Sequence, residues 1–197
     1  MGRYLITGAS RGIGRALVIQ LTNEGHDVLA LARSESSLKT LKEETGCSIL
    51  TFDLAQPNWK DLEDWIESEG TLDGLIHNAG FLRSKSFTEL TDRDILDHYQ
   101  INVLSAFGLI RSVLKNLSKQ GHVVSISSIG GMTGSSKFPG LAAYSSSKAA
   151  LSPSTECLQA EYSSTDWSFN SLALGAVQTE MLAEAFPDYA APVTPDA

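Results

Sequence analysis

Short apolar runs alternate with amphipathic stretches along most of the 197-residue chain. Six runs have the length and aliphatic content of buried β-strands: residues 3–8, 27–32, 48–53, 72–78, 122–128 and 167–174. After the first run, the spacing typical of one helix face is seen in five residues: Ile13, Ala16, Leu17, Gln20 and Leu21. Residues 94–117 have the pattern of one long helix. The chain therefore alternates predicted strands with predicted helices.

This alternation predicts a parallel sheet, because parallel strands need helical crossovers and bury both of their faces. The expected architecture is a doubly wound α/β fold, a three-layer αβα arrangement of the Rossmann type. The length suits one domain, and the sequence has no internal repeat or linker. Residues 1–197 are therefore expected to form a single dinucleotide-binding and catalytic domain.

Pro153 interrupts a stretch, residues 143–162, that otherwise has a helical pattern. A proline inside a helix removes one main-chain hydrogen bond and costs about 3 kcal/mol. We therefore expect a kink in this helix.

The composition argues against several classes of partner. The chain has 15 Lys and Arg against 23 Asp and Glu, with no basic run that could follow a phosphate backbone, so no nucleic-acid partner is expected. Cys47 and Cys157 lie far apart, and the four histidines have no metal-ligand spacing, so reduced thiols and no metal site are expected. No segment reaches about 18 apolar residues. These features predict a soluble, cytoplasmic protein with no membrane partner.

Three glycines lie where the first strand is expected to turn into the first helix. In "ITGASRGIGRAL", Gly8, Gly12 and Gly14 have the spacing TGxxxGxG. Glycine permits a tight turn, a close approach of backbone to a pyrophosphate, and close packing of helix on sheet. Ordinary turns also contain glycine, but the strand before and the helix after favour dinucleotide binding at the helix N-terminus.

A tyrosine and a lysine stand four residues apart in "YSSSK". On a helix Tyr144 and Lys148 share one face, about one turn apart. A cation 4–6 Å from a phenol contributes roughly 3–4 kcal/mol, enough to lower a pKa near 10 by two or three units. The alternative is a surface helix that carries both residues by chance. The glycine loop upstream favours a tuned acid/base.

In these motifs, and in further ones, the chain resembles the short-chain dehydrogenase/reductase family, in its compact single-domain branch. The further motifs occur in the family's order and at about its spacings: Asp53 in "TFDL", "HNAG" at 77–80, Asn102, "SISS" before "YSSSK", and "LGAVQTEM" at 174–181. The resemblance spans nearly the whole chain.

The resemblance implies a catalytic role for four residues. Tyr144 would exchange a proton with the substrate oxygen, Lys148 would hold the nicotinamide ribose, and Asn102 would hold a water that links Lys148 to solvent. Ser128 would hold the substrate oxygen. Ser127 competes for that role, but strand alternation points it to the other face.

The resemblance also implies that Asn78 ties neighbouring strands together, that Asp53 binds the adenine amine, and that Val177 and Thr179 hold the carboxamide. The full set of expected cofactor-binding residues is Gly8, Ser10, Arg11, Gly12, Ile13, Gly14, Arg33, Asp53, Leu54, Asn78, Ala79, Gly80, Tyr144, Lys148, Gly175, Val177 and Thr179.

The end of the second strand indicates which nicotinamide cofactor binds. An acid here, roughly 20 residues past the glycine loop, would hold the 2′-hydroxyl of NAD. Ala32 occupies that place and Arg33 follows it. Arginine binds a 2′-phosphate by charge-assisted hydrogen bonds, and Arg11 adds a second cation. NADP(H) is therefore expected.

The residues, together with what the resemblance implies, predict an NADP(H)-dependent carbonyl reductase or alcohol dehydrogenase that acts on a small carbonyl or alcohol. Alternatives are a non-catalytic NADPH-binding sensor or interaction protein, and an epimerase or dehydratase of the family's extended branch. A homo-oligomer is expected. The chain ends before the family's usual seventh strand, so we expect a longer natural chain, or another subunit that covers the sheet edge.

Overall fold

The computed structural model describes residues 1–196, in which strands and helices alternate as the hydrophobic pattern predicts. The strands are β1 (Arg3–Thr7), β2 (Asp27–Ala32), β3 (Ser48–Thr51), β4 (Leu72–His77), β5 (Leu117–Ser128) and β6 (Ser168–Leu174). The helices are α1 (Gly12–Asn23), α2 (Glu35–Thr45), α3 (Trp59–Glu69), α4 (Asp92–Tyr99), α5 (Ser105–Val113), α6 (Ala142–Ala149), α7 (Leu151–Glu161) and α8 (Glu180–Ala185).

All six strands pair in parallel, in the order β3-β2-β1-β4-β5-β6. The chain moves outward from β1 to β3, returns to β4 on the other side of β1, and moves outward again. This is the predicted doubly wound order, and it places a switch point between β1 and β4, beside the carboxyl ends of both strands.

Two apolar clusters pack on opposite faces of the sheet. Leu5 of β1 belongs to one and Ile6 to the other, because successive strand residues point to opposite faces. The first cluster contains residues of α3 and α5: Leu62, Ile66, Leu109, Ile110 and Val113. The second contains residues of α1 and α2: Val18, Leu38 and Leu41. The structure is therefore the three-layer arrangement that the sequence predicts.

The junction between α5 and β5 differs from the prediction. The helix predicted over 94–117 ends earlier, since α5 stops at Val113 and a 3₁₀ turn covers Leu114–Asn116. Strand β5 begins at Leu117, which pairs with Leu72 of β4, and a register irregularity separates that pair from Gly74 and His122. The polar residues 118–120 do not resemble a buried strand, which is why the sequence pattern missed the first part of β5.

The helical stretch in which a kink was predicted at Pro153 is interrupted at Ala150 and forms two helices. Helix α6 ends at Ala149, four residues before the proline, and α7 begins at Leu151. Pro153 is the third residue of α7, within the first turn, where a main-chain N–H has no intrahelical acceptor. The interruption at Ala150 therefore gives the proline a first-turn position, where its missing N–H costs no hydrogen bond within α7.

Residues 1–196 contain no strand beyond β6, so β6 forms one edge of the sheet, as expected. The chain after α8 folds back, and Val193 forms an isolated parallel bridge with Val177. The main-chain N–H of Gln178 donates to the Val193 carbonyl at 2.7 Å. Within residues 1–196 no helix is long and apolar enough to cross a membrane.

Candidate active site

A cleft of about 780 Å³ lies at the carboxyl ends of the strands, where the loops after β1, β2, β3, β4, β5 and β6 meet. Parallel strands all end at the same edge of a sheet, so motifs far apart in sequence converge there. The predicted site residues all line this cleft except for two: Gly14 and Asn102.

The glycine loop packs directly against the end of β4. Gly8 has φ +67°, and a Cβ there would lie 2.9 Å from the Ala79 Cα. A Cβ on Gly14 would lie 2.6 Å from the Asn78 Nδ2. Both contacts are too short for any side chain, so these two glycines allow β1, α1 and the start of the "HNAG" segment to meet. The packing role predicted for Gly14 explains why it does not line the cleft.

Hydrogen bonds hold the same junction together. The Asn78 Nδ2 donates to the Thr7 carbonyl at 3.0 Å, and the Ala79 main-chain N–H donates to the Thr7 hydroxyl at 3.0 Å. Asn78 therefore ties β1 to β4, as the resemblance implied. Helix α1 begins at Gly12 with no side-chain cap, so its first N–H groups and positive dipole end fit a phosphate.

The loop after β6 leads into α8, which is tethered to the glycine loop. Thr179 caps α8 by accepting a hydrogen bond from the Leu182 N–H at 3.2 Å. A Cβ on Gly12, which has φ +53°, would lie 3.2 Å from the Thr179 Cγ2. The Arg11 guanidinium donates to Glu184 in α8 at 2.8 Å. No sequence signal indicates this ion pair, because its partners lie 173 residues apart.

Arg33 and Asp53 lie at the ends of β2 and β3. Arg33 is exposed beside the cleft, and over residues 1–196 no carboxylate oxygen lies within 4.0 Å of its guanidinium. Asp53 accepts a hydrogen bond from the Ala55 N–H at 2.9 Å, which fixes the carboxylate in a local turn. Leu54, between Asp53 and Ala55, is buried. Among the cations of residues 1–196 that line the cleft, Arg33 is therefore the one whose side chain has no protein partner.

The two adjacent serines at the end of β5 have different partners. The buried Ser127 hydroxyl donates to the Lys148 carbonyl at 2.8 Å, so it is committed to holding α6 against β5. The Ser128 Oγ lines the cleft and accepts a hydrogen bond from the Gly130 N–H at 3.2 Å. Of the two serines, Ser128 is the one available to a substrate, as strand alternation predicted.

Tyr144 and Lys148 lie on one face of α6 in the cleft, but their electrostatics differ from the prediction. Burial raises the pKa of the Tyr144 phenol, and a hydrogen bond with Ser128 opposes this only in part. The expected lowering by Lys148 is wrong for this structure, because the Lys148 Nζ donates to the Ile126 carbonyl at 2.8 Å instead. Burial lowers the pKa of Lys148 to about 8. Near neutral pH the phenol is therefore protonated.

Asn102 lies behind the cleft in a π-helical turn, Gln100–Leu104, between α4 and α5. Its Oδ1 accepts from the Phe81 N–H at 2.7 Å, and its Nδ2 donates to the Phe81 carbonyl at 2.9 Å and to the Ser147 hydroxyl at 2.8 Å. The buried side chain thus joins the segment after β4 to α6. Its role in a water relay stays a prediction.

His77, which precedes Asn78, is fully buried in the sheet. Its Nε2 lies 3.4 Å from the Ser105 Oγ, while its Nδ1 has no hydrogen-bond partner among the described residues. Burial, with a smaller contribution from the Lys148 charge, lowers the pKa of His77 to about 3. The imidazole is therefore neutral over the physiological pH range.

Comparison with known proteins gives a consistent result. Residues 3–190 match the family described as short chain dehydrogenase. A 3beta-hydroxysteroid dehydrogenase of Mediterraneibacter gnavus is 31% identical over 95% of this chain and 72% of its own. A 3-oxoacyl-[acyl-carrier-protein] reductase of Salmonella typhimurium is 31% identical over 90% of this chain and 74% of its own. The crystal structure of a short chain dehydrogenase from Shigella flexneri complexed with NADP superposes with a TM-score of 0.90, at 32% identity over 99% of this chain and 86% of that one.

Proposed function

The chain belongs to the short-chain dehydrogenase/reductase family, and from this premise we propose that it is an NADP(H)-dependent oxidoreductase acting on a carbonyl or secondary alcohol. The observation that carries the proposal is the convergence of Ser128, Tyr144 and Lys148 on the cleft beside the glycine loop. A module that only binds a dinucleotide has no use for a buried phenol and a buried ammonium.

Each of the three side chains has a role that its environment supports. Reduction forms a C–H bond at the carbonyl carbon with the hydride that a bound nicotinamide supplies, and the carbonyl electron pair moves to oxygen. Tyr144 gives its proton to that oxygen, and its raised pKa keeps the phenol protonated for this step. Ser128 orients the oxygen by a hydrogen bond. Lys148, which the Ile126 carbonyl holds on the same face of α6, would bind the nicotinamide ribose.

The residues around the glycine loop fit NADP(H). Gly8 and Gly14 leave no room for a side chain where the turn must be tight, and α1 presents uncapped N–H groups. Arg33 is exposed, with no carboxylate oxygen of residues 1–196 within 4.0 Å, and it follows Ala32, which occupies the place where an acid would repel a 2′-phosphate. The Shigella flexneri relative binds NADP in its crystal structure, which supports the same cofactor here.

Turnover of the tyrosine variant tests the catalytic assignment. We expect Tyr144→Phe to keep the fold and the affinity for NADPH while turnover falls by about 100-fold or more, the usual scale for loss of a general acid. Carbonyl-dependent oxidation of NADPH, followed at the nicotinamide absorbance, measures this. Near-normal turnover in Tyr144→Phe would contradict the assignment, and NADPH binding without any turnover in the unmodified chain would favour a non-catalytic NADPH-binding protein.

Cofactor titration tests the choice of NADPH. Charge-assisted hydrogen bonds contribute about 1.5–3 kcal/mol, so Arg33→Ala should weaken NADPH binding by roughly 10- to 100-fold and leave NADH nearly unchanged. Ala32→Asp should reverse the preference. Equal losses for both cofactors in Arg33→Ala would show that the 2′-phosphate is not its ligand.

A homo-oligomer also remains a proposal. Leu104 and Phe107 lie one helical turn apart and are 55% and 41% exposed, which suits a surface that another subunit covers. Light scattering of the purified protein tests this, and a monomer at micromolar concentration would contradict it.

A further inference from the structure

One part of the cleft, the outer pocket, is built almost entirely from apolar side chains. Its residues come from the segment after β5 and from α8 with the chain beyond it: Ile129, Phe138, Leu141, Leu182, Phe186 and Tyr189. Ile129, Phe138 and Tyr189 are 45%, 56% and 47% exposed. Apolar side chains clustered in solvent at the mouth of a cleft mark a surface that a ligand covers.

Three cations lie close in sequence to residues that line the cleft, and each is held by protein groups. Arg83 and Lys85, just after the cleft residue Leu82, both bind the buried Asp94, each at 2.8 Å. Lys137, next to Phe138, donates at 2.6 Å to the Met132 carbonyl and at 2.6 Å to a serine hydroxyl of its own loop. Asp94 thus holds Arg83 and Lys85, and neutral acceptors of its own loop hold Lys137.

The charged residues that do line the cleft belong to its cofactor side: Arg11, Arg33, Asp53, Lys148 and Glu180. The first three follow β1, β2 and β3, and the Glu180 Oε2 approaches Gly12, lying 3.5 Å from the position of a Cβ there. Lys148 donates to the Ile126 carbonyl. The outer pocket therefore offers a substrate apolar contacts without a charge to pair with its own.

We propose that the substrate is an uncharged carbonyl compound with a bulky apolar body, which the outer pocket binds, and that carboxylate- or phosphate-bearing carbonyls are poor substrates. This inference rests on the proposed function of the same site. A carboxylate that enters an apolar pocket loses its hydration without gaining a partner. Apolar carbons gain by burial, roughly three- to fourfold in binding for each buried methylene.

A matched pair of substrates tests the charge selectivity. Methyl 4-acetylbenzoate and 4-acetylbenzoate share one aryl ketone and differ in the negative charge and in one methyl group, which by itself accounts for only about three- to fourfold. With NADPH and the full chain, we expect kcat/KM for the ester to exceed that for the acid by about 30-fold or more, given the cost of an unpaired buried charge. In the series from 2-butanone to 2-octanone, kcat/KM should rise by roughly three- to fourfold for each methylene until the pocket is filled.

Two variants at one position locate the effect. Phe138→Ala should lower kcat/KM for the ester by about 10-fold, because half of a phenylalanine's burial energy is lost, while acetone should change by less than about twofold. Phe138→Arg should raise the ratio of acid to ester by about 10-fold through a new ion pair. Phe87→Ala is the matched control, since Phe87 is 77% exposed and lies outside the cleft.

The outcomes separate this inference from the proposed function. An acid that is reduced as well as the ester, or the same losses in Phe87→Ala as in Phe138→Ala, would overturn the inference and leave the oxidoreductase intact. Reduction of no ketone or aldehyde by a chain that binds NADPH would overturn both. A strong preference for the ester that Phe138→Ala removes would support the inference.

Discussion

The ion pair between Arg11 and Glu184 leads to a specific prediction about cofactor affinity. If Arg11 binds the 2′-phosphate of NADPH, it must first leave Glu184, to which it donates at 2.8 Å. Replacing Glu184 by glutamine removes the competing charge while keeping the size of the side chain. We therefore expect Glu184→Gln to bind NADPH more tightly than the unmodified chain and to bind NADH with unchanged affinity.

The exposure of the pair sets the size of the effect. The Arg11 and Glu184 side chains are 47% and 67% exposed, so water and salt screen their attraction. Pairs of this kind contribute about 0.2–1 kcal/mol, which corresponds to a gain in NADPH affinity of roughly 1.4- to 5-fold at low salt. The gain should shrink as ionic strength rises.

Fluorescence titration of both cofactors measures this gain, and two further variants serve as controls. In the Arg11→Ala background, Glu184→Gln should have no effect, because the group that it releases is absent. Glu44→Gln removes the same charge from another exposed pair, Arg15 with Glu44, and should leave NADPH affinity unchanged. A gain that persists without Arg11, or that is equal for NADH, would refute the competition between Glu184 and the 2′-phosphate.

Three other predictions concern stability, and urea unfolding tests each of them. The lowering of the Lys148 pKa from 10.5 to about 8 means that the unfolded chain binds more protons between these values, so stability should rise with pH over that window. Lys148→Met should remove this rise and stabilise the protein at pH 7 by about 2 kcal/mol, after allowing for the lost hydrogen bond to Ile126; a less stable variant would contradict the buried-charge argument. Folding lowers the pKa of His77 from 6.5 to about 3. As the pH falls below 6.5, His77 takes up a proton in the unfolded chain but not in the folded one, so the free energy of unfolding decreases. Between pH 7 and pH 5, the free energy of unfolding of His77→Asn should therefore decrease by about 2 kcal/mol less than that of the unmodified chain. Equal decreases in the two proteins would exclude His77 as the cause. Pro153→Ala should change the free energy of unfolding by less than about 1 kcal/mol, because the proline lies in the first turn of α7; a gain near 3 kcal/mol would place it in a helix interior.

The sequence predicted most of the fold because hydrophobic period and strand length are local signals. Five of the six strands lie within two residues of their predicted ends, and the doubly wound order follows from their alternation with helices. The start of β5 was missed, since the residues after Leu117 are polar and pair with β4 only through an irregular register.

The site was predictable where it depends on motifs and unpredictable where it depends on tertiary packing. The glycine loop, Ser128, Tyr144 and Lys148 all meet at one cleft. The pKa of Tyr144 was not predictable, because burial depends on the packed surroundings of the phenol and not on its spacing from a lysine. The pairing of Arg83 and Lys85 with Asp94 likewise depends on how the segment after β4 packs on α4.

The opposed orientation of Ser127 and Ser128 makes the active site sensitive to the length of β5 but not to the length of the segment between β5 and α6. One hydroxyl holds α6 through the Lys148 carbonyl while the next faces the cleft. Inserting or deleting a single residue earlier in β5 would exchange the two faces and turn the wrong serine toward the substrate. The 15 residues between Ser128 and Tyr144 carry no such alternation. Changes of length in that segment, which also builds part of the outer pocket, therefore leave the orientation of Ser128 intact while they reshape the substrate side of the cleft.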